Sequence, residues 1–306
     1  ENGEGEETKT YTGVYNIAFF GVDARDENLG KGNNRSDTIM LCSIDMDKHD
    51  VRLISIYRDT YLNLGNDTYN KCNAAYGGPE MALGMINMNT DLYVTDYITV
   101  GFEGLMEAVD ALGGVEIDVK ENEISHLNNY QISMAGTSED QKTFTATAGV
   151  DYEPVTEPGL QTLNGLQATA YCRIRYVGDD FERAARQRRV LMAVAEKAKT
   201  ASPATLNQIA NDVFGEVYTS LDLSEIIKLL GDIAKYKIVD QGGFPEESMR
   251  ATGTVGAKGS CVVPKSLSDN VAWLHEFLFN DASYTPSSAV QQYSDKIVSD
   301  TSGYVH

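Results

Sequence analysis

"VYNIAFFGVD" (Val14–Asp23), "TIMLCSID" (Thr38–Asp45) and "VRLISIYRD" (Val51–Asp59) are three apolar runs set close together, and how they pair decides the fold. Each is short and rich in β-branched and aromatic residues, which reads as a buried strand. The polar break "MDKHD" between the second and third is a hairpin connection. "GPEMALGMINMN" and "GFEGLMEAVDAL" follow with helical periodicity, and "GGVEIDV" reads as a further strand. The class predicted is α/β, with a central mixed sheet flanked by helices.

On either side of this nucleus the composition changes. Residues 1–12 are polar and read as a loose segment, and 13–281 as one main domain. Within it, 121–165 turns rich in Thr, Ser, Asn and Gly, a long polar excursion with little core of its own. "LQATAYCRIRY" is expected as a strand. "DDFERAARQRRVLMAVAEKAK" follows as a strong helix with Asp179 or Asp180 at its N-cap. Two more helices are predicted at "DLSEIIKLLGDIAKY" and "SLSDNVAWLHEFLFN", and residues 282–306 as a polar tail. A chain of 306 residues, 42% hydrophobic, can bury one large core or at most two.

The formal net charge is -20 and the pI near 4.5. That argues against a nucleic-acid binder, which needs a broad basic face. Cys42, Cys72, Cys172 and Cys261 match no zinc spacing; one disulfide, Cys72 with Cys261, is the pairing the sequence allows best. No window approaches the ~20 apolar residues of a membrane span, and "ENGEGEETKT" lacks the basic-then-apolar pattern of a signal peptide. Such an acidic start is expected of a mature end, or of an ectodomain freed from an N-terminal anchor.

Against this acidic background, "RIRYVGDDFERAARQRR" (Arg173–Arg189) holds six arginines in 17 residues. On a strand, Arg173 and Arg175 share a face with Tyr171, roughly 7 Å apart. On the helix, Arg183 and Gln187 fall on the side of Val190, Leu191 and Val194, which faces the core. Arg188 and Arg189 point elsewhere and read as a solvated face. An inward arginine costs several kcal/mol of desolvation unless an anion pairs with it. Either Asp179, Asp180 and Glu182 supply internal salt bridges, or a bound polyanion such as a phosphate engages the guanidinium forks. Asp23 ends the first strand, Asp37 begins the second and Arg58-Asp59 ends the third. Antiparallel pairing brings all three to one rim, where two carboxylates beside arginines suit a magnesium-phosphate site.

Taken in order, "NIAFFGVDAR", "RSDTIMLCSID", "LISIYRDTYL", "KCNAAYGGPEMA", "VDALGGVEIDV", "LNGLQATAYCRIR" and "DDFERAARQ" resemble the motifs of the LytR-CpsA-Psr family of bacterial cell-envelope proteins, from about Tyr15 to Lys199. The resemblance implies a domain at the extracytoplasmic face of the cell membrane, held there by an N-terminal anchor. It implies a magnesium-assisted phosphotransferase that moves a glycopolymer, such as a teichoic acid or capsular polysaccharide, from an undecaprenyl-pyrophosphate carrier to a peptidoglycan hydroxyl. By matching position, Asp23 and Asp37 resemble the Mg²⁺ ligands. Arg35, Arg58, Lys71, Arg173, Arg175, Arg183 and Gln187 resemble the residues around the pyrophosphate, and Asp180 a carboxylate that holds an arginine or acts as a base. Tyr57 stands where the family has proline, and Cys72 where it has an aliphatic residue. An apolar slot for the lipid is implied too; Met81, Met85, Ile86 and Met88 are candidates to line it, or are ordinary core. A lipid-pyrophosphate hydrolase and a non-catalytic polyprenyl-phosphate-binding regulator are the alternatives.

Overall fold

The computed structural model describes residues 8–23, 29–30, 35–138, 140 and 142–305. They form two compact units, each with its own hydrophobic core. The first contains residues up to Thr99, Tyr218–Leu221 and Lys237 onward; the second contains Val100–Val217 and Asp222–Tyr236.

In the first unit the three apolar runs are β1 (Val14–Val22), β2 (Ser36–Asp45) and β3 (Asp50–Ile56), paired antiparallel in sequence order. Strands β4 (Tyr61–Asn63) and β5 (Tyr69–Lys71) form a hairpin beside them. Later segments complete a mixed six-stranded sheet: β6 (Asp96–Val100), β9 (Val217–Thr219) and β10 (Lys237–Phe244), in the order β10-β3-β2-β1-β6-β9 with β10 parallel to β3. Strands β11 (Arg250–Thr254) and β12 (Ser260–Pro264) pair separately. At period two, Ala18, Phe20 and Val22, Ile39 and Leu41, and Ile54 and Ile56 bury one sheet face against α1 (Pro79–Thr90), α8 (Leu267–Phe279) and α9 (Ser288–Thr301).

Two expectations for this unit are corrected. The tail over 282–306 carries α9, whose Val290 and Ile297 are fully buried. Ser287 caps that helix and donates through its N–H and hydroxyl to Asp91, the left-handed residue that ends α1, at 2.7 Å each. Likewise the segment expected loose over 1–12 is packed where it is described: Tyr11 stacks on Phe279 with ring centres 4.0 Å apart and donates to Asp281, which Lys9 also holds. Residues 1–7 lie outside the described residues.

The second unit contains α2 (Phe102–Ala111), the hairpin β7 (Val115–Val119) with β8 (Gly159–Leu163), α3 (Glu121–Ala135), α4 (Gly165–Arg173), α5 (Asp180–Lys199), α6 (Pro203–Phe214) and α7 (Leu223–Asp232). Part of the expected polar excursion is thus the helix α3, with Glu123, Leu127 and Gln131 turned inward. Beyond it, 136–158 carries only isolated bridges among the described residues. "LQATAYCRIRY" is a helix rather than a strand. Asn164 and Gln167 cap each other's backbone at 2.9 Å, the reciprocal box that starts a helix, and this outweighs the local alternation of apolar and polar residues. Gly165 is needed at that start, since a Cβ there would lie 2.2 Å from the Met106 carbonyl oxygen of α2.

Candidate functional site

The rim of the first unit is set by register. Gly21 pairs with Thr38 but Val22 pairs with Ser36, so Asp37 is the extra residue of a β-bulge. Bulges turn a side chain out of the regular alternation. Gly21 permits it: a Cβ there would sit 2.8 Å from the Thr38 hydroxyl and 2.9 Å from its Cβ. One residue past the bulge, the register sets Asp23 opposite Arg35, both exposed. On the other side Met40 pairs with Ser55, so stepping three residues along both strands brings Asp37 opposite Arg58.

The side chains complete what the register begins. Arg58 donates to Asp37 at 2.6 Å, lies 3.8 Å from Asp59, and Asp59 is 3.3 Å from the Lys71 ammonium. Asp37, Arg58, Asp59 and Lys71 form a line of alternating charge, each partly open to solvent. The backbone beneath is pinned: Asn73 N–H donates to the Arg58 carbonyl, Cys72 N–H to that of Thr60 and Val262 N–H to that of Asp59. Asp59 is a site residue that sequence reasoning left out of its ligand set. Tyr57, where a proline was expected, packs beneath Arg250 at 4.9 Å and accepts a hydrogen bond from it at 3.2 Å. Gly243 makes the room, since a Cβ there would stand 1.9 Å from the phenol oxygen.

The disulfide expected between Cys72 and Cys261 is not formed; all four thiols are free. Cys72 bonds to one side of Thr60 while Val262, the neighbour of Cys261, bridges its other side. Each thiol is turned to its own backbone partner, Cys72 Sγ to the Tyr57 carbonyl at 3.2 Å and Cys261 Sγ to the Gly259 carbonyl at 3.5 Å. Burial pushes both thiols up and keeps them protonated.

In the second unit the arginines separate, but not as the strand reading required. Arg173 is the last residue of α4 and lies over the Phe102 ring at 4.4 Å and the Tyr130 ring at 5.5 Å. Arg175 is exposed in the loop that follows. Asp179 caps α5, accepting from Glu182 N–H at 3.0 Å, and Asp180 in the first turn holds the buried Arg183 at 3.1 Å. Gln187 is half-buried one turn on. The expected core-facing side of α5 is met only in part: Arg183 and Val190 are buried, Gln187, Leu191 and Val194 are half-buried, and Ala184, Arg186, Arg188 and Ala198 are buried as well. The solvated-face reading is overturned for Arg188, which is buried; Arg189 stays partly solvated, at 36% exposure, and donates to Glu182 at 2.8 Å and to the Tyr171 hydroxyl at 3.4 Å. Burial, the largest single influence, raises the Glu182 carboxyl, but the hydrogen bond from Arg189 and the charges of Arg189, Arg186 and Lys120 together outweigh it and leave the group below its ordinary value.

Sequence reasoning missed the most buried arginine. Arg186, 1% exposed, donates through Nε to Glu123, 0% exposed, at 2.8 Å. Its other nitrogens donate to the carbonyls of Ile174 at 3.4 Å and Val177 at 2.6 Å, both in the loop from α4 to α5. Glu123 also accepts from Lys120 N–H. No local signal could pair residues 63 apart in sequence.

The methionines do not share one environment. Met85 and Ile86 belong to the packed core, Met88 is half-buried and Met81, in the first turn of α1, is 62% exposed with its thioether laid over Gly77. As for a metal, no cluster of three or more His, Cys, Asp or Glu ligands occurs among the described residues. Asp23 and Asp37 at one rim supply two hard oxygen donors, which fits Mg²⁺ only if phosphate and water complete its shell.

The LytR_cpsA_psr family model matches residues 1–262. A polyisoprenyl-teichoic acid–peptidoglycan teichoic acid transferase TagU of Oceanobacillus iheyensis is 32% identical over 230 residues, 72% of this chain and 62% of that protein. The chain therefore aligns with less than two thirds of that relative's length. Biofilm regulatory protein A of Streptococcus mutans is 28% identical, over 95% of this chain and 76% of that protein. Among solved structures, gbs0355 from Streptococcus agalactiae superposes with TM-score 0.71 at 24% identity, covering 93% of this chain and 94% of that one. YwtF (TagT) with bound octaprenyl pyrophosphate lipid gives 0.62 at 20%, covering 89% and 94%. At these identities the structural likeness establishes the fold.

Proposed function

The chain belongs to the LytR-CpsA-Psr family, and from that premise we propose that it is a phosphotransferase moving a glycopolymer from an undecaprenyl-pyrophosphate carrier to a peptidoglycan hydroxyl, with Mg²⁺ as cofactor. Its place of work is the extracytoplasmic face of the cell membrane, where an N-terminal anchor holds it. Relatives named as teichoic acid transferases support the reading. The observation that carries it is the bulge that aims Asp37 at Arg58, beside Asp59 and Lys71.

The chemistry follows from charge. The acceptor hydroxyl forms a bond to the phosphorus of the sugar phosphate and gives up its proton to solvent, while the bond from that phosphorus to the lipid phosphate breaks and the leaving lipid phosphate takes the electron pair and the negative charge. Guanidinium groups held at fixed positions stabilise that charge without reorganising. In the first unit Arg58 and Lys71 are the cations that serve, with Arg35 at the exposed edge. In the second they are Arg173, Arg175 and Arg183, with Gln187 as a neutral donor. Arg173 is oriented by two aromatic faces, and Asp180 acts by holding Arg183. Asp23 and Asp37 would hold Mg²⁺, which when bound supplies positive charge to phosphate oxygens. Of the residues considered for a lipid slot, Met81 and Met88 are the ones exposed enough to meet a prenyl chain.

The test is transfer from a labelled polyprenyl-pyrophosphate-linked sugar polymer to a glycan acceptor, with and without chelator. Labelled sugar phosphate on the acceptor, lost in Asp37→Asn, is the expected result. Release of the label into solution would mark a hydrolase, and full activity in chelator would remove the metal.

A further inference from the structure

Tyr176 is 79% exposed, the second most exposed large apolar side chain among the described residues after Val150. It does not sit on a slack loop. Arg186 grips the carbonyls on either side of it, Ile174 at 3.4 Å and Val177 at 2.6 Å, and is itself fixed to the fully buried Glu123. The Ile174 side chain is completely buried, and Gly178, at φ +78°, turns the chain into the cap of α5. A three-point charge-assisted clamp thus holds out an aromatic ring. Beside it, the ring of His126 on α3 lies 6.0 Å away at 33°, making a two-ring ledge.

A ring kept in water forgoes its hydrophobic burial, roughly 1.5–3 kcal/mol for a large side chain. One held rigid has little further entropy to lose on contact, which is why such rings serve as recognition anchors. The neighbours say what would cover it. Arg175 precedes it immediately and Arg173 is three residues before it, both suited to phosphate oxygens. A pyranose ring presents an apolar face of C–H groups that lies well on an aromatic ring, with its hydroxyls left at the wet edge. A phosphate with a sugar attached matches the order arginine, then tyrosine. We infer that Tyr176, backed by His126, is a stacking subsite for the first sugar ring of the donor, the one whose phosphate is transferred. This inference rests on the proposed function and names a specificity-determining residue within it.

Two ligands decide the matter: a polyprenyl pyrophosphate without sugar, and the same lipid bearing one hexose on the pyrophosphate. Wild-type protein should bind the second more tightly. Tyr176→Ala should weaken the sugar-bearing ligand about tenfold, the equivalent of one stacked ring, and leave the sugar-free one unchanged. Tyr176→Phe should retain wild-type affinity for both. Equal weakening of both ligands would show that the ring only shapes the loop and would overturn the inference, as would no change in either. In transfer assays, a raised KM for the glycan acceptor with donor affinity intact would assign the ring to the acceptor and overturn the donor subsite. Wild-type protein that binds neither lipid would overturn the proposed function along with it.

Discussion

At the scale of single residues, the side chains that hold the site and those that hold the fold are different arginines. Arg58 and Asp37 are both partly solvated, so their ion pair contributes at most about 1 kcal/mol to stability. Asp37→Asn should therefore shift the urea unfolding midpoint little while turnover falls by two or more orders of magnitude. Loss of both together would reduce Asp37 to a structural residue. Arg186 is the opposite case. Arg186→Met leaves Glu123 buried without its cation, with only the Lys120 N–H still donating to it, and should cost about 3–5 kcal/mol. The double variant with Glu123→Leu should recover most of that, which a double-mutant cycle by urea unfolding measures. Arg189→Ala, at a half-exposed pair, should cost less than about 1 kcal/mol. The Asp23, Asp37 and Arg58 rim was legible because strand ends and antiparallel pairing are local facts. Arg186 was not, because the charge that fixes it lies on another helix.

At the scale of elements, period-two and period-3.6 patterns located β1 to β3, α1, α2, β7, α5, α7 and α8. What failed was choosing between patterns. The alternation in "TAYCRIR" suggested a strand, and the signal that it is a helix was the Asn164–Gln167 pair upstream. The tail reads as polar until Val290 and Ile297 are set seven apart, two turns of one face, behind the cap Ser287. Deleting Ser287 onward should destabilise the protein by about 3–6 kcal/mol, from two fully buried aliphatic side chains at roughly 1.5–3 kcal/mol each. A midpoint unchanged on truncation would mean α9 contributes nothing. The bulge makes its own prediction. Gly21→Ala must push Thr38 aside and with it the adjacent Asp37, so activity should drop further than stability does.

At the scale of the whole molecule, length and composition allow one large core or two, and the described residues form two. The chain leaves the first unit after Thr99, touches it again at Tyr218–Leu221 and returns for good at Lys237. Nothing local marks these returns, because β10, "KIVDQGGF", is a largely polar strand whose partner β3 lies far back in sequence. The two chain ends of the first unit meet at His275. Its Nε2 faces the Thr90 carbonyl at 2.9 Å, its Nδ1 the Tyr11 hydroxyl at 3.0 Å, and Tyr284 stacks on it at 3.5 Å, with Lys9, Asp91 and Asp281 as the nearby charges. Burial holds its pKa below the ordinary value near 6.5, so the folded protein resists a proton that the unfolded chain accepts. Stability should fall as pH drops from about 6.5 towards the lowered value. In urea titrations between about pH 7.5 and 5.5 the wild-type slope should exceed that of His275→Phe; equal slopes would place the proton elsewhere.

The sheet order carries one consequence for how such a protein can change. Strands β6 and β9, where the chain departs for the second unit and first comes back, are hydrogen-bonded neighbours. The two breakpoints are thus about one strand spacing, roughly 4.8 Å, apart. The stretch 100–217 thus begins and ends side by side and can be exchanged without stretching its host, provided that 222–236, the other segment of the second unit, is exchanged with it. Recombination between relatives at these points would exchange the helices of the second unit while the host sheet kept its register.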